Sequence, residues 1–160
     1  MPSQTLALPF EFSKYILFFS YLSACSALLA VYKRLYDLAV VPALVLFTSV
    51  NYWRLPDYSS RRYVDIVAVQ VGIFYQSFRA QGAPEPYRTI FFKILFLACI
   101  CFAPAMYFVQ RPHDGNWQNF MQKSSKIRRN LALSTFCHVL CHIFGNVSNF
   151  VLYTSGVEHM

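Results

Sequence analysis

The last apolar run of the sequence, residues 131–153, carries polar side chains that could do chemistry. His138, His142, Gly145 and Asn149 follow one another at intervals of four, three and four residues, so they share one face of a helix. We call this set the polar stripe. Polar side chains at membrane depth normally face protein, a cavity or a ligand, because exposing them to lipid is costly. Taken alone, the polar stripe indicates a metal or haem site.

The haem interpretation depends on residues 137–142, which contain the pattern Cys-x-x-x-Cys-His. This pattern is one residue longer than the usual c-type attachment motif, and it lies inside an apolar run rather than in an accessible segment. His138 and His142 share one helix face, so they cannot supply opposite axial ligands to one haem. A single axial histidine is the haem role that the spacing leaves open.

The composition predicts an all-α, polytopic membrane protein whose residues 1–160 form a single membrane domain. Hydrophobic side chains make up 56% of the chain and charged ones 13%, whereas a soluble domain carries about 25% charged residues. The start of the chain lacks the basic segment of a cleavable signal peptide. The five cysteines lie inside apolar runs, which is typical of small buried side chains rather than of a disulfide framework.

Five apolar runs predict about five transmembrane helices of the helix bundle. They cover residues 15–32, 36–53, 63–78, 89–109 and 131–153. The third run is the least hydrophobic, because it contains Asp65, Gln70 and Gln76. We expect this run to be tilted, half-buried among its neighbours or only partly inserted.

Basic residues at the ends of the runs predict contact with anionic lipid, which explains the net charge of +7 more simply than nucleic acid does. The predicted lipid-binding residues are Arg61, Arg62, Lys126, Arg128 and Arg129. The connection 111–130 suits an interfacial helix, carrying Trp117 and Met121, or a solvated loop. Most of the 14 lysines and arginines fall on the side of the N-terminus, which predicts a cytosolic or matrix-like side. An organelle membrane, such as the mitochondrial inner membrane, is compatible with these features.

The five-span topology brings polar residues from three runs into one half of the bilayer. Ser49 lies one turn before the end of the second run, and Asp65 lies at the start of the third. His138 lies about two turns inside the fifth run, roughly 10 Å by helix rise. We therefore expect these three side chains to meet.

With these residues the chain resembles the alkaline ceramidase and adiponectin-receptor-like membrane hydrolases. The pattern has Ser-x-x-x-His on one helix, an Asp further on and His-x-x-x-His on a late helix, and this chain is similar at Ser49, Asp65, His138 and His142. The resemblance implies three histidines that hold zinc, with the Ser and Asp supporting a metal-bound water. The chain departs from the pattern at Trp53, which stands where the first zinc-binding histidine would be. It also has about five spans, where that superfamily has seven.

The function that the sequence favours is a non-catalytic accessory or scaffolding subunit of a larger membrane complex. It would pack against other integral membrane subunits and anionic lipid, without a cofactor. The polar third run supports this, since such a helix prefers protein neighbours. The alternatives are a small transporter or lipid-binding protein, and a zinc-dependent lipid hydrolase with Ser49 and Asp65 as catalytic residues and His138 and His142 as metal ligands. The polar side chains of the fifth run would also be explained by hydrogen bonds to neighbouring helices.

Overall fold

The computed structural model describes residues 6–109, 117–122 and 124–157, and over these ranges the chain is helical apart from turns and one isolated β-bridge. The all-α class is confirmed. In chain order the helices are α1 (Phe10–Ser20), α2 (Leu22–Tyr32), α3 (Tyr36–Trp53), α4 (Ser60–Ala80), α5 (Tyr87–Tyr107), α6 (Trp117–Gln122) and α7 (Ser125–Thr154).

Among the described residues, three stretches are long and apolar enough to cross a membrane. They are Phe10–Tyr32, which comprises α1 and α2, Tyr87–Tyr107, which is α5, and Ser125–Thr154, which is α7. The 18-residue α3 and the 21-residue α4 fall outside this apolar set. The structure thus supports a membrane protein with three spanning stretches, and the remaining two predicted spans stay a prediction.

The first helix begins five residues before the predicted run, at Phe10 rather than Tyr15. Pro9 stands at its N-cap, and the Pro9 carbonyl oxygen accepts hydrogen bonds from the backbone N–H groups of Phe12 and Ser13 at 3.0 Å each. Proline lacks an N–H group and so suits a helix start. Hydropathy alone therefore placed the boundary too late.

The last helix also begins earlier than its apolar run. The Ser124 hydroxyl accepts a hydrogen bond from the Lys126 backbone N–H at 3.2 Å, which caps α7 before Ser125. As a result, the basic end of the predicted connection 111–130 forms the first turns of α7. The short helix α6 precedes it, and the Trp117 indole N–H donates to the Leu6 carbonyl oxygen at 2.9 Å. Residues 110–116 and Lys123 of the predicted connection lie outside the described residues.

Helix α7 is the central element of the bundle. It contacts α5 most extensively and also touches α1, α2 and α6, while α3 lies against α2, α1 and α4. Helix α4 packs along α3 and has little contact with α5. The fold therefore places α4 at the edge of the bundle, attached mainly through α3.

The contact between α3 and α4 combines close packing with a buried ion pair. Gly72 lies so near Val41 that a Cβ atom at Gly72 would be 2.8 Å from the Val41 Cγ1 atom. Near the end of α4, the Arg79 guanidinium pairs with the Asp37 carboxylate, which also accepts a hydrogen bond from the Tyr75 hydroxyl at 2.8 Å. Arg79 is buried, so this pair explains how a basic residue is accommodated between two helices.

The turn between α3 and α4 is organised by the Asp57 carboxylate. One oxygen accepts hydrogen bonds from the backbone N–H and the hydroxyl of Ser59, and the other accepts from the Arg61 guanidinium at 2.6 Å. Burial raises the pKa of Asp57, but the hydrogen bonds from Ser59 and Arg61 outweigh it and hold that pKa below its usual value. Arg61 also donates to the Leu55 carbonyl oxygen at 3.0 Å. Its guanidinium, expected to contact lipid, is thus engaged in the turn.

We predict that Gly72→Ala destabilises the protein. The added Cβ would press against Val41, whose β-branched side chain has little freedom to move, so α3 and α4 would separate at a cost of about 1–3 kcal/mol. Thermal unfolding in detergent measures this as a lower Tm. The matched control is Gly145→Ala, because a Cβ there meets no atom within 4 Å. Equal Tm values for the two variants would contradict the close contact.

Candidate functional site

A cavity of about 400 Å³ lies between α4 and the rest of the bundle. Its walls come mainly from α3, α4, α5 and α7. Smaller contributions come from Ile16 of α1, Ser23 of α2 and four residues outside the helices, Ala7, Leu8, Tyr58 and Val109. Along α7 the lining extends from Ser134 to Asn149, which corresponds to roughly 22 Å by helix rise. The cavity is therefore elongated parallel to the helices, and its volume falls in the range of small-ligand sites, about 300–1,000 Å³.

The polar stripe of α7 faces this cavity, and Asn146 lies beside it. The Asn146 side-chain oxygen accepts a hydrogen bond from the Ser26 hydroxyl at 2.5 Å, and its amide nitrogen donates to the His142 carbonyl oxygen at 2.8 Å. Within the stripe, Asn149 is buried, and its side-chain oxygen has no hydrogen-bond partner among the described residues. Asn146 therefore fastens α7 to α2, while the stripe itself remains available to whatever fills the cavity.

Ser49 and Asp65 are brought together, as the topology predicted. The Ser49 hydroxyl donates to the Asp65 Oδ1 atom at 2.6 Å, and the Thr48 hydroxyl donates to the same oxygen at 3.0 Å. All three residues are buried, and Ser49 and Asp65 line the cavity. Sequence reasoning missed Thr48, because its neighbour Ser49 already matched the pattern and adjacent positions on a helix point in different directions.

Trp53 stands beside the two histidines. Its ring centroid lies 4.9 Å from that of His138, with the ring planes at 75°, and the His138 centroid lies 5.4 Å from that of His142. Position 53 is thus adjacent to the histidine pair, where the resemblance would place a third histidine. An indole N–H only donates hydrogen bonds and offers no lone pair to a metal ion.

These donors do not fit a zinc site. Catalytic zinc takes three protein ligands and keeps an open position. Within ranges 6–109, 117–122 and 124–157, no three His, Cys, Asp or Glu side chains are grouped so that they could hold a metal ion. The ring beside His138 is the indole of Trp53, and Asp65, whose Oδ1 atom accepts hydrogen bonds from Ser49 and Thr48, does not form a group of three with the two histidines. No catalytic step through zinc follows from this arrangement.

The predicted lipid-binding residues gather where α4 and α7 begin. Arg62 is half-buried, lines the end of the cavity and lies over the Tyr58 ring, 5.4 Å from its centroid. Lys126, Arg128 and Arg129 are exposed in the first turns of α7. Because α4 and α7 run in the same direction, these cations lie at one end of the bundle. Arg62 alone among the five predicted lipid-binding residues reaches the cavity.

Gln76, one of the polar residues of the third run, links α4 to α7. Its amide nitrogen donates to the Tyr153 hydroxyl oxygen at 2.9 Å, and that hydroxyl donates to the Leu38 carbonyl oxygen at 3.3 Å. Tyr153 was not singled out from the sequence, because a tyrosine at the end of an apolar run usually marks a membrane interface. Here it is buried and ties three helices together.

The fold and the cavity define a class of protein, namely an all-helical membrane protein with a largely apolar cavity that also carries polar side chains. No protein-family model, curated protein or solved structure matches this chain. The resemblance to membrane hydrolases therefore depends on the residues described above.

We predict that Trp53→His introduces the missing metal ligand. Protein purified after exposure to zinc should carry about one zinc per chain in this variant and none in the wild type, because zinc sites of this kind need a third nitrogen or oxygen donor. Elemental analysis after gel filtration measures the ratio. A Trp53→Phe variant controls for loss of the indole, and Trp53→His with His138→Ala should lose the metal. One zinc per chain in the wild type would contradict the prediction.

Proposed function

We propose that this chain is a non-catalytic, multi-pass membrane protein that holds a lipid in its cavity. The observation that carries the proposal is the elongated cavity, whose apolar lining comes mainly from α3 and α5 and whose hydrogen-bonding side chains come mainly from α4 and α7. Apolar walls suit a hydrocarbon chain, and convergent polar groups suit a head group. A cavity inside a membrane bundle also has lipid as its most abundant neighbour.

Two features support binding without catalysis. The ring of Trp53 occupies the place beside His138 that a third metal ligand would need. The Asp65 Oδ1 atom accepts hydrogen bonds from Ser49 and Thr48, which fasten Asp65 to α3. Both features leave the cavity with hydrogen-bond donors and acceptors but without a complete set of metal ligands.

The proposal includes five spans, with α3 and α4 added to the three apolar stretches. At ~1.5 Å per residue, 21 residues reach roughly 31 Å, about the thickness of the hydrocarbon core. The low apolarity of α4 comes partly from Asp65, Gln76 and Arg79, which are all buried. Its outward side carries large apolar residues. They include Tyr63, Val67, Val71, Phe74 and Phe78. A helix with such an outward side can border lipid.

An accessory role in a larger membrane complex remains part of the proposal. Helix α5 supports this role, because only 17% of its most apolar 18-residue stretch is buried within this protein. Lipid tails or helices of other membrane subunits would cover the rest equally well. The exposed cations at the start of α7 agree with a cytosolic or matrix-facing leaflet that contains anionic lipid, as in the mitochondrial inner membrane.

The second candidate is a lipid hydrolase like the ceramidases. One observation favours it: Ser49, Asp65, His138 and His142 all line the same cavity. The contact between Trp53 and His138 weighs against it, because the metal donors stay incomplete. Within the described ranges, no feature specifically favours a small transporter.

We predict that a lipid chain in the cavity contacts Trp53. The protein has two tryptophans, Trp53 and Trp117. The Trp117→Phe variant therefore keeps Trp53, which lines the cavity, as its sole tryptophan fluorophore. In phosphatidylcholine vesicles, dibromostearate should quench Trp53 several-fold more than the same amount of bromine carried on the phosphatidylcholine itself.

The matched control is Trp53→Phe, which leaves Trp117 as the fluorophore outside the cavity lining. Trp117 should show no preference between the two brominated lipids. Circular dichroism checks that each variant keeps its helices. Equal quenching of Trp53 by both lipids would overturn the proposed function.

A further inference from the structure

We infer that the cavity is loaded sideways from the bilayer, by a single-chain lipid with an anionic head group that passes between α4 and α5. This inference depends on the proposed lipid-binding function and adds the route and the chemical class of the ligand. The route follows from which helices enclose the cavity. The ligand class follows from its volume and from the charge at one end.

The weak point of the enclosure is the junction of α4 and α5. Both helices line the cavity, yet they have little contact with each other. The other junctions are closed. Asp65 and Arg79 fasten α4 to α3, the Ser26 to Asn146 hydrogen bond fastens α2 to α7, and α5 lies along α7 in the most extensive contact of the fold. The α4–α5 gap is therefore the side on which the bundle can admit a chain.

Gln70 on α4 and Cys99 on α5 mark the two rims of this gap. Each residue lines the cavity and is exposed, as expected where the cavity opens to the outside of the bundle. Gln70 lies roughly 15 Å from the start of α4 by helix rise, near the middle of the predicted span. An exposed amide at that depth is costly unless a polar group meets it. A passing or resident head group would supply that partner.

The dimensions and charge of the cavity select the ligand. About 400 Å³ suits one hydrocarbon chain, whereas a whole two-chain phospholipid would leave its second chain outside. The half-buried Arg62 guanidinium lies at the end of the cavity, where it can bind a carboxylate or a phosphate. Asp65, one turn further along α4, accepts hydrogen bonds from Ser49 and Thr48 on α3. The Oδ1 atom of Asp65 is thus engaged by hydroxyl groups of α3 rather than by Arg62.

The test closes the gap with a covalent bridge. In the Trp117→Phe background, a Gln70→Cys variant is joined to the native Cys99 by a short bismaleimide, and quenching of Trp53 by added dibromostearate is followed in time. Bridging should slow quenching at least tenfold. The matched control is Gln70→Cys with Cys99→Ala, which the reagent modifies without forming a bridge, and its quenching rate should stay fast.

The outcomes separate the route from the function. Fast quenching of the bridged protein would overturn the route while leaving lipid binding intact, and absence of preferential quenching at equilibrium without a bridge would overturn the proposed function. Failure of Gln70→Cys and Cys99 to bridge in intact vesicles would also overturn the route, because the two rims would not face each other.

The charge of the lipid head group is tested in a separate experiment. Arg62→Gln should weaken quenching by dibromostearate and by a brominated lysophosphatidate about tenfold and leave a brominated monoacylglycerol unchanged. Tight binding of only one of the two anionic lipids supports an anionic head group and shows whether that head group is a carboxylate or a phosphate. An equal effect of Arg62→Gln on the neutral lipid would overturn the anionic head group.

Discussion

The hydrogen bonds that Asp65 accepts from Ser49 and Thr48 are the interaction on which the cavity depends. A carboxylate inside an apolar bundle needs hydrogen-bond donors, and α3 supplies two hydroxyl groups at 2.6 and 3.0 Å. Together with the ion pair of Arg79 and Asp37, they hold α4 against α3 at both ends. Because Asp65 and Arg79 of α4 find their partners on α3, α4 packs along α3, and a cavity remains between α4 and the rest of the bundle.

The contact between Trp53 and His138 determines which side chains the cavity offers to a ligand. With a histidine at position 53 the same backbone would present three imidazoles, whereas the indole offers only an apolar ring and one N–H donor. The residue at position 53 is therefore the difference between the side chains present here and the complete histidine set that the resemblance implies.

Much of the fold was predictable, because long apolar runs define helices and composition defines the class. The apolar pattern also indicated that Ser49, Asp65 and His138 would share one half of the bilayer, and all three line one cavity. Helix ends were less predictable, since Pro9 and Ser124 act through backbone caps that hydropathy does not register. The pairing of Arg79 with Asp37 was missed, because residues far apart in sequence meet only through helix packing.

Native mass spectrometry of protein released from lipid nanodiscs tests the central claim most directly, because it counts bound lipid. We predict one tightly held single-chain anionic lipid per wild-type chain. A Gly145→Phe variant should lose it, because position 145 lines the cavity and has no neighbouring atom within 4 Å of an added Cβ. Wild-type protein without lipid, or equal lipid in both proteins while both remain folded, would contradict the claim.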